Sequence, residues 1–124
     1  MERQQAIADY AAAWSGTDAE TITAAFARCW TDESTYTDTV TDTIVGVEGM
    51  VQLILGTAHQ YPGFTLRPTS DLDTHHNVGR FSWVMTTPTP MVVDGVDYGR
   101  ELPGIDFVEF TSDNKIARIV GFFG

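Results

Sequence analysis

Gly104-Ile105-Asp106-Phe107-Val108-Glu109-Phe110 alternates its side chains with the period of a β-strand. One face carries Asp106, Val108 and Phe110, and the other carries Ile105, Phe107 and Glu109. The strand lies in a C-terminal half where Phe64–Leu72, Val78–Thr86, Tyr98–Phe110 and Ile116–Phe123 all read as strand. Asp94-Gly95 and Ser112-Asp113-Asn114 supply the clearest turns between them.

The preceding half is mostly helical. Ile7, Tyr10, Ala11 and Trp14 repeat at i, i+3, i+4, i+7, and Gly16 ends that helix. Thr17 and Glu20 read as a capping box for a second helix with Ile22, Ala25, Phe26 and Cys29 on its stripe. Ser34–Val40, rich in Thr and Tyr, reads as a short strand. A third helix starts near Val47 and stops at Tyr61-Pro62-Gly63. Helices grouped before a mostly antiparallel sheet make an α+β domain spanning residues 1–124. Three helices cannot cover both faces of a long sheet, so the sheet is expected to curl around them, with Gly99, Pro103 and Gly104 as places for the bend. A cone of this kind leaves a cavity between sheet and helices.

Two carboxylates stand out against that frame. Alternation sets Asp38 with Tyr36 and Val40, so it is either a carboxylate on the cavity wall or an exposed cap of the turn toward Asp42. Asp106 is either an acid among apolar neighbours, where ionisation is costly, or part of an outward face packed on a partner chain. Tyr10, on the first helical stripe, reads first as a core tyrosine. Asp71, Asp73 and His75 share a strand face, but no recognised metal spacing supports them and no metal is expected there. No glycine-rich nucleotide loop occurs, and the lone Cys29 reads as a buried, inert thiol.

Seventeen acidic against seven basic residues give a net charge of −10, which repels phosphate backbones and anionic lipids. Nucleic acid and membrane surfaces are therefore not expected partners. The first residues, Met-Glu-Arg-Gln-Gln-Ala-Ile-Ala-Asp-Tyr, have no apolar leader core, and no apolar run approaches the length of a membrane span. The cytoplasm is the expected compartment.

Several segments, in their order, resemble the nuclear transport factor 2-like (NTF2-like) superfamily. They are Ala8-Asp9-Tyr10, Gly16-Thr17-Asp18, Trp30 eight residues before Asp38, Gly46-Val47-Glu48-Gly49-Met50, the Gly104–Phe110 strand, Asp113-Asn114-Lys115-Ile116 and Gly121-Phe122-Phe123. Within it the chain looks most like SnoaL-like polyketide cyclases and ketosteroid isomerase relatives. The resemblance implies an NTF2-like cone, with three N-terminal helices packed in a strongly bent antiparallel sheet. It also implies Asp38 as a proton-abstracting base, and Tyr10 and a protonated Asp106 as oxyanion donors. That division of labour between two carboxylates has ketosteroid isomerase as its standard worked case. The chain departs from the isomerase pattern in having Thr39 after the base, and it lacks the Arg-x-Asp pair that epoxide hydrolases of this superfamily need.

Taken together, the expected function is cofactor-free proton transfer on a small hydrophobic, ring-containing carbonyl compound, as an isomerase or polyketide-cyclase-like enzyme. Asp38, Asp106 and Tyr10 are the expected catalytic residues. Trp14, Phe26, Trp30, Tyr36, Trp83 and Phe122 are the expected lining. The alternative is a non-catalytic hydrophobic-ligand-binding or dimerisation module of the same fold. Ile105 and Phe107 on the outer face predict a homodimer packed sheet to sheet.

Overall fold

The computed structural model describes residues 2–124. Three helices form where the apolar stripes place them: α1 (Arg3–Trp14), α2 (Ala19–Cys29) and α3 (Gly46–Gln60). The α2 cap falls one residue later than the Thr17/Glu20 pattern suggests. Asp18 is the N-cap, and its carboxylate accepts the Thr21 amide at 2.8 Å. Among the described residues, no helix is long and apolar enough to cross a membrane.

The strands are β1 (Trp30–Asp38), β2 (Thr41–Val45), β3 (Thr65–Pro68), β4 (Asp73–His75), β5 (Val78–Val93), β6 (Val96–Phe110) and β7 (Ile116–Phe123). They form one seven-stranded sheet in the order β2-β1-β7-β6-β5-β3, with β4 also on β5. All neighbours are antiparallel except β1 and β7, so the sheet is mixed. The chain reaches β1 before the helix and hairpins that complete the sheet, and β7 returns beside it in the same direction.

The sheet is strongly curved and unclosed, wrapped around the helices. The 16 residues of β5 would reach about 50 Å if flat. A chain of this length has a radius of gyration of roughly 14 Å, so the strand must bend to stay on its core. The β5–β6 ladder shifts register between Thr86 and Met91 and again before Val92, opposite Gly99, whose φ of +64° suits glycine. At Pro103 and Gly104 the ladder runs without a shift. Strand signal stops at Thr86 in the sequence because Pro88 and Pro90 interrupt it. The chain nevertheless continues as a twisted hairpin arm, closed by Asp94-Gly95 with both φ positive, +50° and +78°.

The core lies between the inner sheet face and the helices. Ile7, Ile22, Phe26, Met50 and Ile54 from the helices meet Val108, Ile116 and Ile119 from the strands, all essentially without solvent exposure. Trp30 belongs to this core: its indole N–H donates to the Gly46 carbonyl at 3.1 Å, and its ring stacks on Tyr10 at 5.9 Å. Cys29 is buried there as well, which pushes its thiol up to about 12.

Candidate functional site

Strand register builds the site. Tyr36 and Thr37 of β1 lie level with Ile119 and Val120 of β7, which brings Asp38 level with Gly121. Gly121 is the direct partner of Asp106 on β6. Asp38, Gly121 and Asp106 thus form a row across three neighbouring strands. Two strand spacings separate the outer pair, about 10 Å between their Cα atoms. Glycine between them is a packing requirement. A Cβ at position 121 would sit 3.0 Å from Asp106 Oδ1 and 3.3 Å from Asp38 Cβ. Both aspartate side chains therefore flank an opening left by a missing side chain.

Their surroundings differ. Asp38 is half-buried and held at both oxygens: the Tyr36 hydroxyl donates to Oδ2 at 2.6 Å, and the Val40 amide donates to Oδ1 at 2.9 Å. The Val40 bond is the turn-capping contact that alternation left open, and it coexists with a place on the cavity wall. Asp106 is 5% exposed. The Trp83 indole N–H donates to its Oδ1 at 3.0 Å. Burial is the main cause that lifts the Asp106 carboxyl to about 7. The Trp83 bond opposes that rise, and the charge of Asp38 adds to it.

Trp83 reaches Asp106 because position 104 carries no side chain. The indole lies flat over Gly104, where a Cβ would come within 2.1 Å of the ring. Phe123 packs against the indole edge on, at 6.2 Å between ring centroids. Tyr10 is brought in from α1, stacked on Trp30 and edge-on to Phe26. Burial first, and then Asp106, holds its phenol well above the usual tyrosine range. Tyr36 is raised likewise, by burial first and then by Tyr10. Both phenols therefore keep their protons at neutral pH.

Between these groups lies a cavity of about 450 Å³, within the range typical of small-molecule sites. Tyr10, Trp14, Tyr36, Asp38, Trp83 and Asp106 all line it. Three expected lining residues do not. Phe26 and Trp30 are packed in the core behind Tyr10. Phe122 is 56% exposed on the outer face, paired with Ile105, because strand alternation sends it opposite to Gly121 and Phe123. Phe123 takes the wall position instead. Leu53, Tyr61, Met85 and Leu102 also line the cavity. The glycines at 104 and 121 had a legible signal, since glycine within an apolar strand marks a close approach. At the far end of the sheet, Asp73 pairs with Arg80 at 3.0 Å and both are exposed, away from the cavity.

No family model matches the chain, and no curated protein sequence does. Solved structures do. A candidate isomerase of the SnoaL-like family from Agrobacterium tumefaciens is 26% identical, with a TM-score of 0.80 over 100% of this chain and 99% of that one. A protein with the ketosteroid isomerase-like fold from Catenulispora acidiphila, solved with trimethylamine, is 15% identical, with a TM-score of 0.74 over 96% and 85%. SalBIII, an epoxide hydrolase/cyclase-like enzyme of pyran ring formation in salinomycin, is 15% identical, with a TM-score of 0.70 over 98% and 90%. The chain has the NTF2-like fold, and its structural neighbours are SnoaL-like, ketosteroid isomerase-like and NTF2-like proteins.

Proposed function

We propose that this protein is a cofactor-free enzyme of proton transfer, acting on a hydrophobic, ring-containing carbonyl compound by isomerisation or aldol-type cyclisation. The observation that carries the reading is the Asp38–Gly121–Asp106 row: two carboxyls in unlike surroundings on one cavity wall. Asp38 takes the proton alpha to the carbonyl, with Tyr36 orienting it. Tyr10 and the neutral form of Asp106 donate to the enolate oxygen as charge develops there. Each such donor is worth about 10²–10³ in rate where it has been removed from other enzymes. The SnoaL-like candidate isomerase and the SalBIII cyclase-like enzyme support the reaction class by fold.

A planar phenol mimics the enolate without turning over, so it tests the site directly. Its binding is read from the tryptophan fluorescence. Asp106→Ala should weaken binding about tenfold or more, and Asp38→Asn should leave it unchanged or tighten it by removing a nearby negative charge. Deuterium uptake by a cyclic ketone in D2O reports the proton transfer itself and should vanish in Asp38→Asn. A wild-type protein that neither binds phenol nor exchanges deuterium leaves the binding-module reading.

The outer face carries the assembly proposal. Ile105 and Phe122 pair across β6 and β7, and both are about half exposed. A second copy covering this face, sheet to sheet, buries a row that water otherwise meets. The cytoplasm remains the proposed compartment.

A further inference from the structure

The cavity wall is one-sided in charge. Asp38, Asp94 and Asp106 line it, and among the described residues no lysine, arginine or histidine does. Four of the seven basic side chains are engaged elsewhere. Arg28 pairs with Asp9, Arg80 with Asp73 and Arg118 with Glu109, while Arg3 donates to Thr74 and Asn114 and lies over the Phe110 ring. The rest of the wall is rich in aromatic rings: Tyr10, Trp14, Tyr36, Tyr61, Trp83 and Phe123. Ring faces attract a cation, and carboxylates attract it more. A ligand carboxylate or phosphate meets no counter-charge on this wall, and the chain as a whole carries −10.

Asp94 occupies the mouth. It sits at the first turn position of the β5–β6 hairpin, exposed, beside Val92 and Val93 of the same wall. It has no hydrogen-bond or ion-pair partner among the described residues. Turn geometry alone asks only for a residue that tolerates φ of +50°, which asparagine does equally well. The charge is therefore separable from the turn.

We infer that the cavity selects ring compounds bearing a basic amine and rejects those bearing a carboxylate or phosphate, with Asp94 as the specificity-determining residue at its mouth. This rests on reading the cavity as the ligand site of the proposed enzyme, and it narrows the substrate class. The ring sits toward Asp38, Tyr10 and Asp106, and the ammonium group points toward Asp94.

Three phenols of similar length separate charge from shape: tyramine, 4-ethylphenol and 4-hydroxyphenylacetate. Their dissociation constants are measured at low salt on the wild-type chain and on Asp94→Asn. Tyramine should bind about three- to tenfold more tightly than 4-ethylphenol, and 4-hydroxyphenylacetate should be weaker by a similar factor. Asp94→Asn should compress that spread while leaving 4-ethylphenol unchanged. Equal binding of all three, or a spread that survives Asp94→Asn, overturns the inference and leaves the proton-transfer reading intact. Phenethylamine and phenylacetate repeat the comparison without a hydroxyl. A preference for the amine there, with no phenol bound, removes the proton-transfer reading and keeps the charge selection. No preference there and no phenol binding overturns both.

Discussion

Replacing Asp106 by asparagine should change how the fold's stability depends on pH. In the folded chain the carboxyl titrates near 7, against 3.8 for an ordinary aspartate. Below 3.8 both folded and unfolded chains hold the proton, and the group costs nothing. As pH rises toward 7, the unfolded chain releases its proton while the folded chain keeps it, so stability falls by about 1.4 kcal/mol per pH unit. Above 7 both are ionised and the cost levels off at roughly 4 kcal/mol. That is a large share of the 5–15 kcal/mol typical of a domain.

Asparagine keeps an oxygen to accept the Trp83 N–H and cannot ionise. The isoelectric point of about 4.4 disfavours work in strong acid, so the useful comparison runs from pH 5.5 to pH 8.5. Over that window the wild type should lose about 2 kcal/mol more than Asp106→Asn. Urea unfolding followed by tryptophan fluorescence resolves this as a relative midpoint shift of about 1 M. A wild-type-minus-variant difference that stays constant within about 0.5 kcal/mol across the window would show that Asp106 does not titrate in this way.

Three further outcomes follow from the same contacts. Gly104→Ala places a Cβ 2.1 Å from the Trp83 ring, so it should cost about 1–3 kcal/mol by overpacking, and an unchanged urea midpoint would refute the stacked indole. Trp83→Phe removes the donor that favours the ionised form of Asp106, so the carbon-13 titration of that carboxyl should move to higher pH; no movement refutes the Trp83–Asp106 bond. Sedimentation should give a dimer at micromolar concentration, and Phe122→Asp should turn it into a monomer; a monomeric wild type counts against the sheet-to-sheet assembly.

Periodicity alone carries much of this protein. The stripes at Ile7–Trp14 and Ile22–Cys29 specify two helices, and the alternation in Gly104–Phe110 puts Asp106 on one face with Val108 and Phe110, the face the structure buries. Such patterns are legible because side-chain direction along one element depends only on local backbone geometry. Register between strands distant in sequence is not local. Nothing in Thr37 or Val120 announces that β1 and β7 lie side by side in parallel, yet that pairing sets Asp38 level with Gly121 and hence opposite Asp106. Phe122 and Phe123 are likewise equal as letters; only the phase of β7 against β6 sends one outward beside Ile105 and the other against Trp83. The prolines at 88 and 90 hid the hairpin arm, because strand propensity cannot foresee a ladder that skips pairs and resumes at Met91. The sequence by itself determined which side chains share a face of each element. Only the tertiary structure decided which of them meet, because that depends on long-range pairing whose cost and reward are shared by the whole sheet.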